Sequence, residues 1–221
     1  MTPKSSILIF QLIYHPFEES LKSVLSMDFT GLRVDIFYAL YNSRQGSQII
    51  SKEEYFSHGI PDMTSEYYAN HINAQTEKTL YMKKLCLENN YDYALFCTDD
   101  VLVERDALQK LIAQEKDFIH GLMCYEKEQA WGRHFSGRIY DPKGPQDSDD
   151  RPIELHRDFE YGDIIKATFC GIIFALISRK ILEMPDFGGF YESLFCKWLE
   201  QHSIPLLIHT GVILRYLGVS P

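Results

Sequence analysis

The chain has 221 residues, 45% of them hydrophobic, which is enough apolar material for one continuous core at a length typical of a single large domain. Thirty-one acidic residues against twenty-two Lys plus Arg leave a formal charge of −9, which repels a nucleic-acid backbone and argues against nucleic acid as a partner. No stretch reaches the ~20 apolar residues of a membrane helix, no small-residue cleavage site follows the apolar run Ile7 to Ile13, and five scattered cysteines without a CxxC pair favour buried thiols in a reducing compartment; the expectation is a soluble, cytoplasmic protein with no integral membrane segment.

Ser6 to Tyr14 and Leu32 to Leu40 are apolar segments with β-branched and aromatic content, each bounded by turn signals, and both read as strands. A helix from about Glu18 to Leu25 separates them, so the first fifty residues form a strand-helix-strand unit with parallel strands and a right-handed crossover. Asn73 to Asn89 reads as a second helix with Tyr81, Leu85 and Met82, Cys86 at helical spacing, stopped by Asn89-Asn90. Tyr93 to Cys97 is an unbroken apolar run, the pattern of a central parallel strand covered on both faces. A short helix carrying Leu108, Leu111 and Ile112 and a strand from Asp117 to Cys124 follow. From Glu126 to Asp163 glycines, prolines and acidic residues mark an excursion of hairpin and loop. Regular structure returns at Ile164 to Ile177, and Tyr191, Leu194, Phe195, Trp198 and Leu199 form an apolar stripe on the last helix. A strand from Pro205 to Leu214 closes the chain. The class expected is α/β, one domain over 1–221 with a mostly parallel central sheet flanked by helices.

The sharpest chemical signal is Thr98-Asp99-Asp100, directly after the buried strand. Open parallel sheets bind ligands at the carboxyl ends of their strands, so a carboxylate pair there is well placed for chemistry. Two ionised carboxylates at ~4 Å repel by several kcal/mol at intermediate dielectric, and a diphosphate beside them adds to the conflict. A divalent cation resolves it: Mg²⁺ or Mn²⁺ accepts one or two carboxylates together with phosphate oxygens and water, and stabilises charge on a departing phosphate. The plain alternative is a strand end whose Asp side chains cap a turn.

Tyr91 to Val101, followed by Asp106 to Leu111, resembles the "DxD" region of GT-A glycosyltransferases, especially family 2-like enzymes. Gly171 to Leu182 is similar to the glycine-containing acceptor-side segment of that family, and Phe190 to Cys196, leading to Ser203 to Leu206, resembles its "ED" helix and the strand after it. Together the matches span most of residues 90 to 218. Four departures mark the chain as a divergent member: Thr98 stands where the first Asp of DxD usually is, Tyr216 where a C-terminal His often supplies a third metal ligand, Ile173 where a second glycine commonly follows Gly171, and Gln75 near where an Arg often precedes the second helix.

The resemblance implies a GT-A-like fold, with a nucleotide-binding half over 1–101 and an acceptor-side half over 102–221. It implies a nucleotide-sugar donor, a hydroxyl-bearing acceptor and a Mn²⁺ or Mg²⁺ cofactor, with Asp99 and Asp100 near metal and diphosphate and Thr98 beside them. Glu192 takes the position of the catalytic base, which would accept the acceptor hydroxyl proton as that oxygen attacks the anomeric carbon, with inversion. Its place in the first turn of the last helix also suits a simple helix-start carboxylate. Tyr14 and Asn42, at the ends of the first two strands, are candidates for the nucleotide base, and Asn73 and Lys78 for the diphosphate at the start of the second helix, where helix capping explains Asn73 equally well. His209 enters as a replacement third metal ligand on condition that the chain bends between it and Tyr216.

Two other readings compete. A nucleotidyltransferase also uses a strand-end carboxylate pair, but it needs a basic phosphate-gripping loop and Gln11 to Glu19 contains neither Lys nor Arg. A scaffold of the same fold that has lost metal binding through Thr98 and Tyr216 would act as a binding module instead.

Overall fold

A computed structural model describes residues 5–13, 18–40, 49–50, 71–125, 134–135, 138–139, 161–169, 171–189 and 192–217. The first apolar run forms β1 (Ser5–Ile13), the amphipathic segment after it α1 (Glu18–Leu25), and the second apolar run β2 (Leu32–Leu40), parallel to β1 with Ser5 opposite Leu32. A short β3 (Ile49–Ile50) borders β2. The long helix α2 (His71–Glu88) ends at Asn90, whose φ of 55° is the left-handed conformation that Asn tolerates at a helix stop, and Tyr91 N donates back to Cys86 O at 3.0 Å. The stop read from Asn89-Asn90 is where the helix ends.

β4 (Tyr93–Thr98) then lies parallel to β1 on the side away from β2. It is followed by the two-residue β5 (Val101–Leu102), helix α3 (Ala107–Ile112) and β6 (Phe118–Tyr125). Within the excursion the described residues form the two-residue strands β7 (His134–Phe135) and β8 (Arg138–Ile139) and the turn at 161–163. The stretch at 164–177, where regular structure is expected to return, holds two strands that run against the majority of the sheet, β9 (Ile164–Phe169) and β10 (Phe174–Ser178), with β10 inserted between β4 and β6. Helices α4 (Arg179–Leu182) and α5 (Glu192–Gln201) lead to β11 (Leu206–Tyr216), which lies parallel to β6.

Among the described residues all strands join one sheet in the order β3-β2-β1-β4-β10-β6-β11-β9-β8, with β5 and β7 attached to β11 and β6. The long strands β1, β2, β4, β6 and β11 point the same way, and β9 and β10 oppose them. The sheet is covered on both faces, which is why β4 needs no polar alternation. Leu8, Phe10, Leu12, Phe96 and Ala94 pack beneath Met82 and Cys86 of α2 and Phe195 and Leu199 of α5, while Ile7, Ile9, Leu95 and Cys97 pack beneath Val24 of α1 and Leu108 and Leu111 of α3. The three described free thiols, Cys86, Cys97 and Cys196, are buried; burial pushes Cys86 up to about 12, so it stays protonated and inert.

The stripe on α5 is rotated from its expected position. Phe195, Cys196 and Leu199 are buried and Trp198 stacks on Phe195 at 5.6 Å, but Leu194 is 61% exposed. The reason is the aromatic cluster: Phe187 meets Phe195 and Trp198 edge-on at 5.9 and 5.8 Å, turning that face of the helix toward the 184–189 segment.

That segment is fixed to α2 at Gly189, which has φ +81°, and a Cβ there would lie 2.7 Å from the Thr76 carbonyl oxygen. Both the backbone conformation and the clash oppose a side chain, so Gly189→Ala is expected to destabilise by roughly 2 kcal/mol, read as a lower denaturant midpoint with an unchanged slope.

Candidate active site

β1 lies between β2 and β4, so the chain leaves β1 on one side and returns to it on the other. This reversal of strand order opens a crevice at the carboxyl ends of β1 and β4, and Thr98-Asp99-Asp100 leaves β4 at that end. The segments that follow β1, β2 and β6 at the same end, 14–17, 41–48 and 126–133, lie outside the described residues; with them lie Tyr14 and Asn42.

The acidic turn is pinned from two directions. Thr98 N donates to Ile173 O at 3.0 Å, and Leu217 N donates to Asp100 O at 2.6 Å. The second bond, with β5 paired to the end of β11 (Tyr216 opposite Val101), brings the Tyr216-Leu217 backbone against Asp100, so the place where the resemblance expects a third ligand is beside the carboxylates. Within the turn the Thr98 hydroxyl donates to Asp100 Oδ1 at 2.5 Å. Thr98 therefore orients the neighbouring carboxylate through a charge-assisted hydrogen bond. Asp99 is fully buried and Asp100 partly exposed.

His209 is placed differently. It opposes Gly121 on β6, whereas Arg215 opposes Cys124, so it stops three β6 residues, roughly 10 Å, short of the point where Arg215 pairs with Leu102 beside Asp100. The chain does bend there: the β11–β6 register shifts between His209 and Ile213. The bend does not carry the ring to the carboxylates, because His209 Nδ1 accepts the Gly211 N–H at 3.0 Å and Nε2 faces Gln114 Nε2 at 3.4 Å. Lys110 Nζ, held by Glu104 and Asp106, caps the same bulge through Gly211 O at 2.8 Å. Burial and then the Lys110 ammonium push His209 below the ordinary histidine range. Among the described residues no three His, Cys, Asp or Glu side chains are grouped to hold a metal ion. A cation at Asp99 and Asp100 would need phosphate oxygens and water to complete its coordination.

α2 runs back over β1 and β4, so its first turns approach the carboxyl ends of those strands. Its buried face changes character along its length. Met82 and Cys86 belong to the core, but nearer the acidic turn the buried residues are Gln75, Lys78 and Thr79. Lys78 is only 3% exposed, and among the described residues no carboxylate pairs with its amine. Burial pulls its pKa down to about 8, against a slight opposing effect of Glu77. A desolvated ammonium favours an incoming anion. Asn73 lies in the first turn of the same helix. Glu192 is the first residue of α5, three positions after Gly189, where the chain touches Thr76 and Thr79 of α2.

Lys78 gives a pH prediction. Its folded-state value lies below the unfolded one, so the charged form penalises folding below about pH 8 and the penalty is relieved as pH rises from about 8 toward 10.5. Lys78→Met is expected to melt above the parent at pH 7, by roughly 2–4 °C per kcal/mol of burial cost removed. By pH 10 the difference shrinks. Thermal scans of both proteins at the two pH values check it; an advantage independent of pH would assign the effect to packing.

Three polar groups carried no signal in the sequence. Gln11, which only interrupts an apolar run, has both amide atoms buried without a partner among the described residues, opposite Cys97 of β4, and the Ser20 hydroxyl of α1 is buried in the same way. His120 of β6 is buried and bonded to the backbone that holds Thr98. A cavity of about 380 Å³ lies elsewhere, between Cys196, Leu199 and Glu200 of α5 and Ala167 and Leu206, at the amino end of β11 and away from the acidic turn.

No family model matches the chain, and no curated protein matches it by sequence. Solved structures match by shape. A197 from STIV superposes with a TM-score of 0.51 at 14% identity, covering 97% of this chain and 86% of that one. GalNAc-T7, solved with UDP, GalNAc and Mn²⁺, superposes with a TM-score of 0.54 at 10% identity, covering 96% of this chain; the chain spans 44% of that protein's length. At these identities the likeness concerns the fold, which is GT-A-like, and among the described residues no helix is long and apolar enough to cross a membrane.

Proposed function

We propose that the protein is a metal-dependent glycosyltransferase that moves a sugar from a nucleotide-sugar donor to a hydroxyl acceptor with inversion. The observation that carries the reading is the carboxylate pair Asp99-Asp100 at the carboxyl end of β4, at the switch point of a GT-A-like sheet. The buried Lys78 adds the cationic partner that a diphosphate requires.

In this reading the whole chain is one domain, with donor binding in 1–101 and acceptor binding in 102–221. Asp99 and Asp100 would hold Mn²⁺ or Mg²⁺, which supplies charge neutralisation for the departing diphosphate. The Lys78 ammonium and the first-turn N–H groups of α2 near Asn73 would bind the diphosphate oxygens. Tyr14 and Asn42 would take the base. Glu192 would accept the proton of the acceptor hydroxyl while that oxygen attacks the anomeric carbon and the bond to the diphosphate breaks. His209 is the member of the predicted ligand set that the geometry supports least.

The second reading, a binding module, is favoured by one observation: the Thr98 hydroxyl already occupies a lone pair of Asp100 Oδ1. Calorimetric titration with a panel of nucleoside diphosphates, with and without Mn²⁺, tests both. Metal-dependent binding of one nucleotide, together with slow hydrolysis of its sugar conjugate, is expected of the transferase. Binding without hydrolysis or transfer favours the module, and binding of no member removes the nucleotide-sugar reading.

A further inference from the structure

His120 sits on β6 in the middle of the sheet and is 1% exposed, yet none of the site residues read from the sequence lies beside it in the chain. Its Nε2 accepts two backbone N–H groups, from Ile173 at 3.1 Å and Phe174 at 3.2 Å, and its Nδ1 lies against Gly121 O. That set defines one tautomer: Nδ1 carries the proton and donates it to Gly121, and the Nε2 lone pair receives the two amides. Burial keeps the ring neutral, with a value near 4. The contact lies where β10 leaves β6: Ala175 opposite His120 is the last pair of that ladder, and beyond it the imidazole replaces the neighbouring strand as hydrogen-bond partner.

The residue held in this way is the one that grips the acidic turn. Ile173 O accepts Thr98 N at 3.0 Å, and the Thr98 hydroxyl donates to Asp100 Oδ1 at 2.5 Å. A continuous series of hydrogen bonds thus runs from the His120 ring through the Ile173 backbone and Thr98 to the Asp100 carboxylate. Each member is buried except Asp100, so none can exchange its partner for bulk water without a local rearrangement. We propose that His120 is a positioning residue for Asp100, fixing the direction of its carboxylate through Ile173 and Thr98. This rests on the reading of Asp100 as a metal-diphosphate ligand. It also gives a role to one departure from the resembled pattern: Thr98 transmits the orientation through a hydroxyl that an ionised Asp in its place could not donate.

The test compares the full chain with His120→Phe, which keeps a ring of similar size but cannot accept a hydrogen bond, and His120→Gln, whose side-chain carbonyl can. Mn²⁺ affinity is measured by electron paramagnetic resonance titration, and hydrogen exchange of the Thr98 and Ile173 amides by NMR. His120→Phe is expected to bind Mn²⁺ at least about tenfold more weakly with faster exchange at both amides, and His120→Gln to recover most of the affinity. A folded His120→Phe protein with parental Mn²⁺ affinity and unchanged Thr98 exchange overturns the proposal. If His120→Phe does not fold, Thr98→Val interrupts the same series one step later and is expected to show the same loss; full affinity in that variant overturns it equally. Should the parent protein bind no Mn²⁺, the metal reading fails by itself, and the positioning is judged by ¹³C NMR titration of the Asp100 carboxyl in parent and variant, where identical curves count against it.

Discussion

Asp100→Ala is expected to abolish the Mn²⁺-dependent part of nucleoside diphosphate binding, a loss on the order of 100-fold, or about 2.7 kcal/mol. Asp100 is the exposed member of the pair and the one whose carboxylate is oriented by Thr98, so its removal leaves the cation with the buried Asp99 and a site one negative charge short. Among the described residues the change deletes the hydrogen bond from the Thr98 hydroxyl, worth about 1 kcal/mol, at a partly exposed position, and the backbone bond from Leu217 N to Asp100 O does not depend on the side chain. Asp100→Asn separates the two contributions, because it keeps an acceptor for the Thr98 hydroxyl and loses the charge. Affinity close to the parent in Asp100→Asn would mean that the hydrogen bond, not the charge, matters, and that no cation is held there. Mn²⁺-dependent binding by Asp100→Ala as strong as the parent's would remove the acidic turn from the site.

The parts of the fold that the sequence disclosed are those where a single pattern dominates. β1, α1, β2 and β4 were legible because apolar runs and turn residues alternate without competition from long-range structure, and α2 ended where Asn89-Asn90 placed its stop. Two features were legible only in three dimensions. The 164–177 stretch reads as regular structure, but its two strands are not neighbours: β9 lies on β11 and β10 lies between β4 and β6, with two strands of the sheet between them. Nothing local encodes that separation. The rotation of α5 likewise depends on Phe187, outside the helix.

The candidate site divides in the same way. Asp99 and Asp100 were visible because carboxylates directly after a buried strand break the apolar pattern, and Lys78 because a cation near the start of a helix is easily noticed. The burial of Lys78 was not visible: in sequence it belongs to the polar part of an ordinary amphipathic helix. Gln75, Lys78 and Thr79 facing the sheet violate the rule that packs apolar residues inward, and such violations concentrate where a protein binds something. His120 escaped for the opposite reason. One histidine in an apolar strand next to Gly121 carries no spacing signal, and its meaning depends on Ile173, more than fifty residues away. His209 was legible as a chemical type but not as a position, since its ring is committed to the β11 bulge.

Glu192→Gln is expected to lower the turnover number by 10²- to 10⁴-fold while leaving donor and Mn²⁺ affinity within about twofold of the parent. The asymmetry is the point of the experiment. A general base acts only when the acceptor hydroxyl loses its proton, so its removal raises the barrier and leaves the bound ground state alone. Glu192 is the first residue of α5, the helix whose start the resemblance assigns to the base. Gln keeps the size of the side chain and removes only the charge and the basicity. A carboxylate serving the helix dipole alone contributes about 0.3–1 kcal/mol to folding and nothing to turnover, so a slight fall in melting temperature with unchanged rate would assign Glu192 to the helix start. The pH profile gives a second, independent reading. If Glu192 is the base, turnover falls on the acid side as its carboxylate is protonated, and that limb disappears from the residual activity of Glu192→Gln. A variant with both reduced rate and the same acid limb would place the base elsewhere in the crevice.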